Sequence, residues 1–128
     1  MPVARTARTN DIEVQVAPHY LPGQSDESSY AFMYEVSIAN HGETPVQLLR
    51  RHWIITDAMG KVKEVEGPGV VGEQPVIAPG ESFSYNSGAM IKTPVGSMKG
   101  TYQMMTDSGD TFEAEIPEFV LNADQTIH

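Results

Sequence analysis

The sequence contains no cysteine. Disulfides, thiolate metal sites and cysteine nucleophiles are therefore excluded. Basic residues are also scarce: eight lysines and arginines stand against 17 aspartates and glutamates, and the formal net charge is -9. An acidic surface repels phosphate backbones and anionic lipids, so nucleic acid and membranes are disfavoured as partners. No apolar run reaches the length of a membrane span, and we expect a cytoplasmic protein.

The 128 residues fit one domain, and their 40% hydrophobic content can supply one core. We expect a flexible N-terminal arm over residues 1–11, a folded domain over 12–121 and a flexible tail over 122–128. Residues 1–10 lack the apolar stretch of a secretory signal. No sustained helical period is present.

Short alternating segments separated by turn residues run through the chain. The clearest is Tyr30 to Ala39, with Tyr34, Val36 and Ile38 on one face. Alternation slips at Leu48-Leu49, which predicts a bulge. Elsewhere, Pro18 is expected to end a strand, with a loop from Ala17 to Ser28. Further interruptions are expected at Ser87-Gly88 and at Pro117.

This spacing of strands and turns predicts an all-β fold, an antiparallel immunoglobulin or fibronectin type III-like sandwich of about seven strands. The residues expected to be buried share apolar strand positions. They are Tyr34, Val36, Ile38, Trp53, Ile55, Phe83, Tyr102, Phe112 and Ile116.

The sequence Gly67-Pro68-Gly69-Val70-Val71-Gly72 reads G-x-G-x-x-G. A dinucleotide fingerprint requires a following helix, but Pro75 and Pro79 come next, so the Rossmann interpretation fails. The backbone amides could still form an anion nest, although Pro68 removes one donor. The alternative is a structural or partner-binding loop, and we expect the valines of this loop, with Val76, to be exposed.

Arg50-Arg51-His52 is the densest basic segment. Strand alternation places Arg51 and Trp53 on one face and His52 on the other. The segment fits either an anion or partner contact beside the glycine loop, or arginines paired with local carboxylates. The candidate binding residues are therefore Arg51, His52, Gly67, Gly69, Val70, Val71 and Gly72.

The sequence lacks the spacings typical of catalytic and metal sites. Gly-x-Ser-x-Gly is absent, and the alternating acids Glu113 and Glu115 are typical of an exposed strand face. His19, His41, His52 and His128 show no metal-binding spacing. We expect no catalytic residue, no dedicated metal site and no cofactor.

Several strings closely resemble the ApaG family. They are Arg50 to Asp57, Gly67 to Pro75, Pro79 to Tyr85, Ser87-Gly88, Thr93 to Tyr102 and Phe112 to Leu121. The resemblance runs from about Ile12 to Leu121. It implies a fibronectin-type sandwich in a bacterial protein without catalytic activity, genetically linked to cobalt resistance and magnesium efflux and encoded beside an enzyme that hydrolyses diadenosine tetraphosphate.

The resemblance also implies interaction modules, because related domains occur in eukaryotic F-box proteins and in a DNA-polymerase-delta-interacting protein. The resemblance also implies the hypothesis that Gly67, Gly69 and Gly72 bind pyrophosphate. We expect a non-enzymatic module that binds a protein partner or a second copy of itself. The alternative is a pyrophosphate- or nucleotide-binding protein that uses the loop from Gly67 to Gly72, with phosphate-ester hydrolysis as its enzymatic form. Weak binding of pyrophosphate or of divalent cations is also expected.

Overall fold

Apolar and polar side chains alternate along nearly every strand of the structure. The structure is a computed structural model in which residues 4–123 are described. A one-turn 3₁₀ helix, Pro22–Gln24, lies between the second and third strands. The nine strands are β1 (Arg5–Thr9), β2 (Ile12–Tyr20), β3 (Tyr30–Asn40), β4 (Val46–Asp57), β5 (Val62–Pro68), β6 (Val76–Ile77), β7 (Ser82–Ile91), β8 (Val95–Thr106) and β9 (Thr111–Asn122).

The strands form two antiparallel sheets that pack face to face. One sheet has the order β1-β2-β3-β7, and the other has the order β5-β4-β8-β9 with the short β6 also paired to β4. This arrangement confirms the predicted all-β sandwich. The count of nine exceeds the expected seven because β1 and the two-residue β6 lack the apolar alternation that marks the other strands.

The core lies between the sheets and is centred on aromatic side chains. The Trp53 ring lies 5.1 Å from the Tyr34 ring and 6.0 Å from the Phe119 ring, measured between centroids. Of the residues expected to be buried, Tyr34, Val36, Ile38, Trp53, Tyr102 and Ile116 are buried. The remaining three, Ile55, Phe83 and Phe112, are partly buried against the core.

One polar side chain, Asn40, is buried among the described residues. Its amide nitrogen donates to the carbonyl oxygens of Thr44 (2.8 Å) and Ile77 (2.9 Å), and its side-chain oxygen accepts from the Gly42 amide (2.9 Å). Burial is tolerated because these hydrogen bonds replace water. The side chain thereby fixes the turn between β3 and β4.

The expectation of a flexible arm over residues 1–11 is wrong for Arg5–Thr9, which pairs with β2 along its whole length. The alternation-based boundary failed because ladder hydrogen bonds, rather than apolar side chains, define this edge strand. At the other end, Asn122 belongs to β9 and Ala123 is buried, so the expected tail begins too early. Residues 1–3 and 124–128 lie outside the described residues.

The expected strand end at Pro18 and the expected interruptions at Ser87-Gly88 and at Pro117 are also wrong, because β2, β7 and β9 run through these positions. β2 continues through Pro18, so the expected loop from residue 17 begins only after Tyr20. Among the described residues, the pairing of β1 with β2 ends at Val16, so the missing amide of Pro18 removes no ladder bond to the described part of β1. Pro117 lies on an edge strand at the register shift between β8 and β9. The predicted bulge at Leu48-Leu49 is confirmed.

Candidate functional site

The glycine motif forms a two-residue hairpin turn. The amides and carbonyls of Val70 and Glu73 exchange two hydrogen bonds, of 2.8 and 2.9 Å. Val71 (φ 43°) and Gly72 (φ 82°) lie between them, and a type I′ turn requires positive φ at both positions. Glycine meets this requirement easily, but valine is β-branched and rarely adopts such a conformation. The tip of the turn therefore holds a strained backbone conformation at Val71.

Gly69 is required by space as well as by conformation. Its φ is +61°, and a Cβ atom there would lie 2.0 Å from the Glu73 carbonyl oxygen. Its amide donates to the Leu49 carbonyl oxygen at 2.8 Å. The spacing of the motif is thus explained by the turn and its attachment to β4.

Several backbone amides in and next to the motif already donate hydrogen bonds. Gly69 and Val70 of the motif, and Glu73 after it, donate to backbone carbonyls, and Pro68 has no amide hydrogen. Gly67 and Pro68 belong to β5 rather than to an open loop. An anion nest at this turn would have to rely on the amides of Val71 and Gly72, which weakens the nest interpretation.

Arg51 clamps the turn. Its Nη1 atom donates to the carbonyl oxygens of Pro68 (3.1 Å) and Gly69 (3.0 Å). The guanidinium crosses directly over Gly67, where a Cβ atom would lie 3.1 Å from Nη2. Gly67 thus makes room for Arg51, its cross-strand partner. The side chain keeps further donors beyond these two bonds, because a guanidinium carries five N–H groups.

Beside the clamp lies a cavity of about 220 Å³, which opens between the two sheets. The residues that line it come from β3, β4, β7 and the turn. They are Tyr34, Arg51, Trp53, Val70, Val71, Gly72, Tyr85 and Ser87. Behind them, the Tyr85 hydroxyl forms a hydrogen bond with the Tyr102 hydroxyl.

Burial raises the pKa of the Tyr34, Tyr85 and Tyr102 hydroxyls above the usual tyrosine value. These groups stay protonated at neutral pH, so they serve as hydrogen-bond donors and not as bases. The cavity lining includes no carboxylate and no imidazole. The cavity can therefore orient an acceptor group against Arg51, but it supplies no general base.

The structure brings Arg51, Val71 and Gly72 together at this cavity and separates His52 from it. His52 lies on the outer face of the second sheet, where its Nε2 atom is 2.8 Å from Glu64 and 4.0 Å from Glu66. The expectation that Val70 is exposed is wrong, because Val70 is 1% exposed and closes the core. Val71 and Val76 are exposed, at 54% and 63%.

Potential metal ligands of His52, Glu64 and Glu66 lie within 4.8 Å of one another. The sequence spacing rules missed this group because its members come from paired strands, with His52 opposite Glu66. Both carboxylates are exposed, and His52 already contacts Glu64. Such cross-strand pairs are ordinary stabilising contacts on a sheet surface, so they do not require an ion.

A family model described as the ApaG domain matches residues 22–106, which is more than half of the chain. The chain belongs to the ApaG domain family. The sequence resemblance is thereby confirmed, and the matched range spans the turn, the Arg51 clamp and β7.

Relatives in the ApaG family are similar over nearly the whole chain. Protein ApaG of Dechloromonas aromatica is 55% identical over 119 residues, covering 91% of this chain and 94% of the relative. Protein ApaG of Aromatoleum aromaticum is 52% identical over the same length and the same shares. A Bordetella pertussis crystal structure carrying the name ApaA superposes with a TM-score of 0.88 at 48% identity, covering 93% of this chain and 98% of that one.

Membership in the ApaG domain family establishes the fold of this chain. It does not establish a reaction or a ligand, because the names of these relatives state neither. In the part of the chain that the structure describes, no helix has the length and apolar character needed to cross a bilayer.

Proposed function

We propose that this protein is a non-enzymatic interaction module whose working surface is the Val71-Gly72 turn with the adjacent Arg51 cavity. The observation that carries the proposal is Val71, which is 54% exposed at a φ of 43°. A strained backbone persists only where the surroundings impose it, and such positions cluster at binding and catalytic sites. An exposed apolar side chain at the tip of a rigid hairpin is suited to contact another protein surface.

The chemistry of the cavity supports binding over catalysis. Arg51 supplies a fixed positive charge, and the protonated tyrosines supply donors, whereas a base or an activated nucleophile is missing from the lining. A carboxylate or another acceptor group of a partner protein, or of a second copy, would match this donor set.

A pyrophosphate-bearing ligand is the second candidate for the same cavity. Arg51 and the free amides of the turn favour it, while the amides already used in the hairpin count against it. Incubation with nucleotides and diadenosine tetraphosphate, with and without divalent metal, tests the enzymatic form. Turnover above the rate without protein would contradict the proposal.

The cobalt and magnesium link implied by the sequence resemblance is proposed to act indirectly, through the partner. Calorimetry with cobalt on metal-free protein tests this idea, with His52→Ala as the variant that removes the imidazole from the ligand group on β4 and β5. A stoichiometric site of low-micromolar affinity that disappears in the variant would show that the protein binds the metal directly.

The interaction surface is tested by Val71→Asp and a matched control, Val120→Asp. Val120 is 51% exposed but lies on β9 at a distance from the turn in sequence and topology. Aspartate tolerates positive φ, so Val71→Asp is expected to fold normally. Affinity capture from a native lysate and sedimentation of the pure protein would measure association. We expect Val71→Asp to lose it and Val120→Asp to retain it; equal behaviour of both variants would refute the proposed surface.

A further inference from the structure

The two long sides of the sandwich differ. On one side, β1 packs against β9, and the Glu115 amide donates to Thr9 Oγ1 at 3.0 Å. On the other side, β7 and β5 end their sheets without a further strand partner among the described residues. The Arg51 cavity lies on this open side, because β4, β7 and the turn after β5 line it. Unpaired strand edges of this kind are templates for adding another strand.

Further along the open side, a groove of about 170 Å³ lies between the same strands. Its apolar part is formed by Ile55, Met90 and Ile91. Met90 is 56% exposed on the edge strand β7, although methionine is normally a core residue. The groove is therefore an apolar surface next to an unpaired edge.

Three lysines, Lys61, Lys63 and Lys92, surround the groove. The chain has only four lysines, in a protein of net charge -9, so this local concentration of positive charge runs against the rest of the surface. Within the described residues, none of the three forms a salt bridge. The groove also contains Asp57, but its carboxylate accepts hydrogen bonds from the amides of Met59 (2.9 Å) and Lys61 (3.0 Å).

We propose that this groove binds an extended acidic peptide segment of a partner protein, which adds as a strand along the edge of β7. Backbone hydrogen bonds to β7 would supply affinity, and alternate side chains of the peptide would meet the groove. The carboxylates of the peptide pair with the three lysines, and an apolar residue of the peptide between these carboxylates contacts Met90. The inference rests on the proposed interaction function and specifies the chemistry of the partner.

A second copy of this chain is the competing occupant of the β7 edge. Two copies paired antiparallel along β7 would place their lysine groups at opposite ends of the shared edge, because the lysines lie at the Ile91 end of the strand. A short acidic segment, in contrast, meets all three lysines at once. Edge lysines can also serve merely to prevent aggregation. Under that explanation no acidic peptide binds the groove, so the two interpretations give opposite results in a titration.

The probe is a dye-labelled seven-residue peptide of alternating aspartate and valine, titrated at low salt and followed by fluorescence anisotropy. A peptide with lysine in place of aspartate is the peptide control. Lys63→Glu is compared with Lys99→Glu, which makes the same charge change on the outer face of the second sheet, away from the groove. We expect Lys63→Glu to weaken binding at least fivefold and Lys99→Glu less than twofold, with affinity decreasing as salt is added.

Hydrogen exchange provides the second readout. The acidic peptide is expected to slow exchange of the edge-facing amides of β7, which a purely electrostatic encounter would leave unchanged. Absence of binding at low salt, equal weakening by both lysine variants, or slowed exchange confined to other strands would overturn the inference. If the peptide does not bind but partner capture still depends on Val71, the groove proposal fails and the interaction module stands.

Discussion

Replacing Val71 by asparagine should stabilise this protein. A non-glycine residue in the left-handed region costs about 1–2 kcal/mol, and asparagine relieves much of this cost through local hydrogen bonding. Val71→Asn also places asparagine before Gly72, the pair that type I′ hairpin turns prefer. Little burial is lost, because the valine side chain is 54% exposed. We therefore expect the free energy of unfolding to rise by about 1 kcal/mol.

Thermal and urea unfolding followed by circular dichroism would measure the change. For a domain of this size, 1 kcal/mol corresponds to an increase of roughly 4 °C in Tm. Val71→Gly serves as a comparison: it relieves the same strain but adds about 0.5–1 kcal/mol of unfolded-state entropy cost. Asparagine should therefore stabilise more than glycine does. If both variants are less stable than the original protein, Val71 contributes contacts that outweigh its strain, and the reasoning about the turn is wrong.

Two further predictions follow from the same region. Gly69→Ala should lower the free energy of unfolding by more than about 2 kcal/mol, because the new Cβ atom clashes with the Glu73 backbone and the positive φ adds strain. Gly72→Ala should lower it by only about 1 kcal/mol, because Gly72 has positive φ but open space around it. Equal losses of stability in urea unfolding would show that the clash at Gly69 is absent. Stability should also fall as pH rises above about 10, because burial raises the pKa of Tyr85 in the folded state, and unfolding then releases protons. Unfolding between pH 8 and 11 checks this, and Tyr85→Phe should flatten the alkaline decline.

The sequence predicts most of the fold because each sheet buries one face. Tyr30 to Ala39 alternates clearly, and the slip at Leu48-Leu49 marks the bulge that the structure contains. Proline misled the boundaries at Pro18 because its effect depends on whether its amide position faces a neighbouring strand. That information belongs to the sheet order, which a linear pattern does not contain. Arg5–Thr9 escaped notice for a related reason, since this polar strand is held by backbone pairing.

The site is predictable in part. The turn at Asp57 to Gly60 sets the β4–β5 register, and that register places Arg51 opposite Gly67. The other half of the cavity comes from Tyr85 and Ser87, which belong to the opposite sheet. Contacts between sheets depend on packing angle and side-chain volume, and no sequence spacing encodes them. The same limit explains why the lysine groove was not predicted.

Several locally unfavourable features lie on the same side of the sandwich. Val71 has positive φ, Met90 is exposed, and Lys63 has no ion-pair partner among the described residues although acids outnumber bases about two to one. The fold requires none of them, since an asparagine would suit the turn better and a nearby carboxylate could neutralise a lysine. These features are concentrated between β7 and β5, opposite the side that β1 covers. A binding surface for another chain requires such a concentration, because one partner would then satisfy the apolar contact, the unpaired charge and the free backbone edge together.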